Sequence, residues 1–90
     1  MMNKNLVTVI TPNYNGEKFL ETSIKSVINQ SHKEFEYILI DGNSTDNSIN
    51  ILNDYKNYFT KLVIEKDSGI YDAVEKGIKL AKGEIIIWIN

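Results

Sequence analysis

The stretch FEYILIDGNSTD, residues 35–46, changes character once, from strand formers to turn formers. Phe35–Ile40 is rich in aromatic and β-branched side chains that suit a pleated surface. Asp41-Gly-Asn-Ser-Thr-Asp46 ends the run with residues that favour turns and helix starts. Beyond it the period changes: Ile49, Leu52, Tyr55 and Phe59 recur at three- and four-residue steps and predict a helix, which Asn50, Asn53 and Asn57 weaken. Strand, polar loop and helix in that order make half of a βαβ unit, so the fold turns on whether the unit recurs.

It recurs on both sides. Upstream, Leu6–Thr11 is a β-branched run expected to stop at Pro12, which lacks an amide for a central strand. Asn13-Tyr-Asn-Gly16 is turn chemistry, and Asn15 is expected to cap a helix whose apolar positions are Phe19, Leu20, Ile24, Val27 and Ile28. Glu21 and Lys25 occupy the wet face of that helix, and His32 follows it as a solvated end-of-helix residue. Downstream, Lys61–Glu65 reads as a third strand and Lys66–Gly69 as a loop. Ile70, Ala73, Val74, Ile78 and Ala81 form the stripe of a third helix closed by Gly83. Ile85–Ile89 is apolar without alternation, as expected of a strand covered on both faces, with Trp88 in the core. The order β-α-β-α-β-α-β predicts an α/β fold, Rossmann-like and three-layered, with a largely parallel four-stranded sheet in one domain, residues 1–90.

Bulk properties narrow the function. Ninety residues, 42% hydrophobic and 24% charged, allow one modest core, and a chain of this length buries only about 60% of its unfolded surface. The net charge of −2, from 12 acids and 10 bases with no run of one sign, argues against nucleic acid as a partner. Absence of cysteine excludes disulfides and thiolate metal sites. No apolar stretch reaches membrane-spanning length. A cytoplasmic location is expected, peripheral to the inner face of the membrane at most in a longer relative.

In a parallel sheet, ligands bind outside the carboxyl ends of the strands. The three loops that fall there hold Thr11, Asn13, Tyr14, Asn15 and Glu17, then Asp41, Asn43, Ser44 and Asp46, then Asp67 and Asp72. An aspartate after a buried strand can accept a hydrogen bond from a heterocyclic N–H, and a neighbouring tyrosine can stack on the ring. Gly42 leaves room for that approach. The same residue types are ordinary turn and cap residues, and for Ser44 and Asp46 that role is an equal reading. Asp41 reads more strongly as a ligand group, because the Gly-Asn-Ser-Thr turn after it needs no extra acid. Neither Gly-x-Gly-x-x-Gly nor a Walker-type Gly-Lys-Ser/Thr is present, and the acids a receiver domain would need after strand one are replaced by Thr11-Pro-Asn-Tyr-Asn15. Tyr55, Tyr58 and Phe59 read as core and rim of the second helix.

Taken together, VTVITPNYNG (7–16), EYILIDGNSTD (36–46) and EKDSGIYDA (65–73), followed by Gly77, resemble the opening of bacterial family 2 glycosyltransferases of GT-A fold. The resemblance runs in order over nearly the whole chain. It implies a nucleotide site drawn from Thr11, Pro12, Asn13, Tyr14, Asn15 and Glu17, from Asp41, Gly42, Asn43 and Ser44, and from Lys66 and Asp67. Thr11, Pro12 and Tyr14 would surround base and ribose, Asp41 would accept from the base, Asp67 would face nucleotide or donor, and Lys66 would approach phosphate. Asp72 would cap or brace the third helix. The implied partner is a nucleotide-diphosphate sugar, commonly UDP-linked. The implied cofactor is Mg or Mn, held by an acidic pair that the family places after the Gly-Glu-Ile-Ile strand and hence beyond Asn90, so no catalytic or metal-ligating residue is assigned. Val74-Glu75-Lys76 departs from the family pattern. The expectation is the N-terminal nucleotide-binding part of an inverting transferase, truncated before its metal motif. The alternative is a non-catalytic truncated module that self-associates as a homo-oligomer through its sheet edge or apolar faces.

Overall fold

The computed structural model describes residues 6–30 and 34–88. Along the chain run β1 (Val7–Asn13), α1 (Glu17–Ile28), β2 (Phe35–Asp41), α2 (Ser48–Asp54), a 3-10 turn (Lys56–Tyr58), β3 (Lys61–Ile64), α3 (Ile70–Leu80) and β4 (Glu84–Ile87). The four strands form one sheet in the order β3-β2-β1-β4, and every pairing is parallel. The expected α/β fold with a parallel sheet is therefore present.

Side chains alternate across a strand, so adjacent residues feed opposite faces. Val9, Tyr37 and Leu39 pack with Leu20, Ile24 and Val27 of α1 and Leu52 of α2. Ile10, Ile38 and Ile40 pack on the other face with Ala73 of α3. Burial on both sides is why the central strands read as unbroken apolar runs. Gly77 lets α3 approach closely, because a Cβ there would stand 2.5 Å from Ile10 Cγ2. The Tyr37 and Phe59 rings meet edge to face at 5.1 Å, which places Phe59 against the α1–α2 face of the sheet.

The end of the sheet away from the three loops is fastened by a buried carboxylate. Glu36 Oε1 accepts from Thr8 Oγ1 at 2.6 Å and from the Lys82 amide at 2.5 Å, while the Gly83 amide donates to Thr8 Oγ1 at 2.9 Å. A buried acid needs such donors, and here they tie the α3–β4 connection to β1 and β2.

Several local expectations are corrected. β1 continues through Pro12 to Asn13. In a parallel strand one residue's N–H and C=O face the same neighbour. Ile10 C=O accepts from the Trp88 amide, so Pro12, two residues on, faces the β4 side, beyond the last β1–β4 pair, Ile10 with Ile87. The next bond of the β1–β4 ladder would need an amide at Pro12, so the described pairing with β4 ends at Ile10 while the pairing with β2 runs on to Asn13. α1 is capped at Gly16 and not by the Asn15 side chain, and Phe19 is exposed while Leu20, Ile24 and Val27 are buried. α2 ends at Asp54, before the predicted Tyr55 and Phe59. Gly83 is not a left-handed cap, since α3 closes at Ala81 in extended conformation. Its lack of a side chain serves close packing, because a Cβ would lie 2.5 Å from the Leu6 carbonyl oxygen. β4 is an edge strand with all four residues exposed, and Trp88 follows it, half-buried against the α1–α2 face. His32 lies outside the described residues.

Candidate functional site

Strand order reverses at β1, where the chain leaves β2 and β3 on one side and places β4 on the other. The carboxyl ends of the strands open there into a cavity of about 630 Å³. It is lined by Pro12, Asn13, Tyr14, Gly16 and Phe19 from β1, the first loop and α1, by Gly42 after β2, and by Lys66, Asp67, Gly69, Ile70 and Ala73 from the third loop and α3. The three loops that the sequence singled out thus meet in one place.

They meet most closely at Gly42. Its amide donates to the Asn13 carbonyl at 2.9 Å, continuing the β1–β2 ladder by one bond. A Cβ added there would lie 3.1 Å from both carboxylate oxygens of Asp67 and 3.2 Å from Tyr14 Cδ1. A hydrogen-bond acceptor and the edge of an aromatic ring therefore stand side by side over a glycine. Asp67 Oδ1 accepts from the Gly69 amide at 3.0 Å, and Oδ2 accepts no hydrogen bond among the described residues. Gly69 has φ of 114°, a conformation that side chains resist, and this turns the chain back into α3. Tyr14 is 63% exposed.

Behind this wall lies a polar network that seals the first loop to the second. Asp41 is fully buried. Its Oδ1 accepts from Asn13 Nδ2 at 2.8 Å and from Ser44 Oγ at 2.7 Å, and its Oδ2 accepts from the Ser44 amide at 2.8 Å. The inference that the 42–45 turn needs no acid is corrected: Asp41 organises that turn. Ser44 Oγ in turn accepts from the Asn15 amide at 2.9 Å, and Asn15 Oδ1 accepts from the Thr45 and Asp46 amides at 2.7 and 3.2 Å. Asp46 closes the chain of contacts by accepting from the Ser48 amide at the start of α2 and from the Glu17 amide at the start of α1. Burial opposes ionisation of Asp46, but hydrogen bonds from Ser48 and the Glu17 amide outweigh it and hold its carboxyl below the usual range.

Six of the twelve sequence-selected residues line the cavity: Pro12, Asn13, Tyr14, Gly42, Lys66 and Asp67. Asp41, Ser44 and Asn15 stand behind the wall, Glu17 offers its amide to Asp46, and Asn43 is exposed with φ of 68°. Thr11 is buried beneath the site, 3.4 Å from the Tyr37 hydroxyl. Burial pushes that phenol's pKa up against the opposing Thr11 contact, so Tyr37 is a neutral core group. Asp72 braces α3 as expected, accepting from the Ser68 amide at 2.9 Å. Phe19 and Ile70, which line the cavity, were read as core. The available signal was positional: each lies in the first turn of a helix that follows a site loop.

Charge in the cavity comes from Lys66 and Asp67. Lys76, nearby on α3, is engaged elsewhere, 3.0 Å from Glu65 and 3.8 Å from Asp72, and the Glu65 hydrogen bond raises its pKa. Among the described residues, no three His, Cys, Asp or Glu side chains converge on a point where a metal could bind. The acids present do not fit a divalent cation: Asp41 is buried and accepts three hydrogen bonds from protein donors, and among the described residues Asp67 is the only acid lining the cavity.

The sequence model described as glycosyl transferase family 2 matches residues 8–90. A putative teichuronic acid biosynthesis glycosyltransferase, TuaG, of Bacillus subtilis is 34% identical over 97% of this chain and 36% of its own length. The poly(ribitol-phosphate) beta-glucosyltransferase of Bacillus spizizenii is 37% identical over 93% of this chain and 14% of its own. The S. aureus TarS structure in complex with UDP-GlcNAc superposes with a TM-score of 0.79 at 27% identity, over 92% of this chain and 26% of that one. A Pyrobaculum calidifontis mannosyltransferase solved with GDP-Man and Mn2+ shares the fold, with a TM-score of 0.75 at 24% identity over 83% of this chain and 24% of that one. The chain thus spans about a third or less of the length of these relatives.

Proposed function

The chain belongs to glycosyl transferase family 2, and from that premise we propose that its cavity holds the nucleotide of a nucleotide-sugar donor, with uridine diphosphate the preferred nucleotide. One observation carries the reading: the Tyr14 ring edge and the Asp67 carboxylate converge on Gly42. A stacking face, an acceptor for a ring N–H and a lysine at one cavity match the three parts of a nucleotide, namely base, base edge and phosphate. Pro12 and Asn13 border the base and ribose, and Lys66 meets the diphosphate.

On this reading Asp67 is the acceptor for the base, and Asp41 acts from behind by holding the loop that carries Gly42. The whole protein transfers the sugar to a glycan or lipid-linked acceptor with inversion at the anomeric carbon. The Pyrobaculum calidifontis mannosyltransferase was solved with Mn2+; a divalent cation in this protein would take its ligands from outside the described residues and would neutralise charge on the diphosphate. Support for a nucleotide sugar comes from the bound UDP-GlcNAc of the TarS structure. Among the described residues no helix is long and apolar enough to cross a membrane.

Titration calorimetry tests the site. UDP should bind, Asp67→Ala should weaken uridine and UDP alike by about tenfold, the effect of one lost hydrogen bond, and Lys66→Ala should weaken UDP but not uridine. Absence of UDP binding, or equal affinity after Asp67→Ala, would remove the basis for the assignment.

A further inference from the structure

Tyr14 makes no hydrogen bond among the described residues, and its ring stands beside Gly42 between two neighbours whose positions are fixed by hydrogen bonds. On one side Asn13 is held by Asp41. On the other is Asn15, in the left-handed region with φ of 51°, which asparagine tolerates better than most residues. Its Oδ1 gathers two amides of the second loop, Thr45 at 2.7 Å and Asp46 at 3.2 Å, with the Thr45 hydroxyl at 3.4 Å. Its own amide donates to Ser44 Oγ at 2.9 Å. Asn15 is flanked by Tyr14 and Gly16, both in the cavity wall, yet lies outside that wall itself.

We propose that Asn15 is a positioning residue for the nucleotide: it locks the first loop to the second so that the Tyr14 ring is already in place before the base arrives. The inference rests on the nucleotide reading above and adds a residue that touches no ligand. Without the lock, the ordering of residues 13–16 falls on the binding step and lowers affinity, mainly through entropy. Only the side-chain oxygen is needed, because every bond made to the Asn15 side chain is a donor approaching Oδ1.

That chemistry defines the test. Asn15→Gly keeps the left-handed backbone but removes the acceptor, whereas Asn15→Asp keeps an acceptor oxygen. Uridine is the probe, because it is uncharged and insensitive to the charge that the aspartate adds. Thr8→Ala, which breaks the Glu36 fastening at the far end of β1, controls for lost stability alone. Calorimetry on the full chain should show Asn15→Gly binding uridine about tenfold more weakly with the loss in entropy, Asn15→Asp within about threefold of the parent, and Thr8→Ala unchanged. Should Asn15→Gly not fold, Thr45→Pro, which deletes the 2.7 Å donor, is expected to weaken uridine in the same way. Unchanged affinity in Asn15→Gly or Thr45→Pro overturns the proposal, as does Asn15→Asp binding as weakly as Asn15→Gly, or Thr8→Ala matching Asn15→Gly. A parent chain that binds neither uridine nor UDP overturns the nucleotide reading itself, and this inference with it.

Discussion

Asn13 and Asp41 are partners in the last rung of the β1–β2 ladder, and their side chains are joined by a 2.8 Å hydrogen bond from Asn13 Nδ2 to Asp41 Oδ1. The bond sits where two strands end and two site loops begin, so a structural contact and the geometry of the cavity depend on the same pair. Asp41→Ala would strip the acceptor from buried donors on Asn13 and Ser44. It is expected to lower stability by about 2–3 kcal/mol in urea denaturation. Asp67→Ala, at a half-buried residue with one protein donor, should lower it by less than about 1 kcal/mol. A reversed order would show that Asp41 is not the structural member of the two.

Gly77 gives a prediction of opposite sign to helix propensity. Alanine is the better helix former by about 1 kcal/mol, but its methyl group would stand 2.5 Å from Ile10 Cγ2 in the sheet beneath. Overpacking of that kind costs about 1–3 kcal/mol. Gly77→Ala should therefore lower the thermal midpoint, and a raised midpoint would mean that α3 does not pack on Ile10 as described.

Asp46 links the starts of both α1 and α2, and its folded pKa lies below the ordinary value of 3.8. The sign follows from linkage: a depressed carboxyl stabilises the fold above its unfolded pKa, and that contribution is lost as the pH falls through the folded value. Stability from Asp46 should be constant at neutral pH and decline below about pH 4. Asp46→Asn should reduce stability at pH 7 and make the acid limb shallower. Equal acid limbs for the two proteins in denaturation at pH 2–7 would contradict the assignment.

Much of this was legible in the sequence. The runs at Val7–Ile10 and Phe35–Ile40 are buried on both faces, so composition alone marked them, and the change of period after each marked the helices. Pro12 misled because its missing amide faces the β4 side, so the β2 ladder carries the strand on to Asn13. The run Ile85-Ile-Ile misled in the other direction: its composition is that of a covered strand, yet Ile85, Ile86 and Ile87 are 36–46% exposed at the sheet edge. No local pattern distinguishes those cases, because a strand's cover is set by its place in the strand order. In the candidate site, the residue types that bind ligands also hold loops. Sequence brought Asp41 and Asp67 to the same region but could not tell which faces inward, since that depends on Asn13 and Ser44 saturating one of them. Phe19 was missed because α1 begins at the cavity rim, where helical spacing no longer means core.

The strand order has a further consequence for how the chain acquires its shape. β1 is the middle partner of two neighbours: its first rung with β2 joins Val7 to Phe35, 28 residues apart, and its first rung with β4 joins Val7 to Glu84, 77 apart. Closing the larger loop costs about 0.9 kcal/mol more in chain entropy. β1 and β2 should thus find each other first, assembling the Asn13–Asp41 rung and the loops it anchors, while β4 docks onto an edge that is already formed. On loop-closure entropy alone, the cavity end of β1 and β2 is expected to form before β4 pairs with β1.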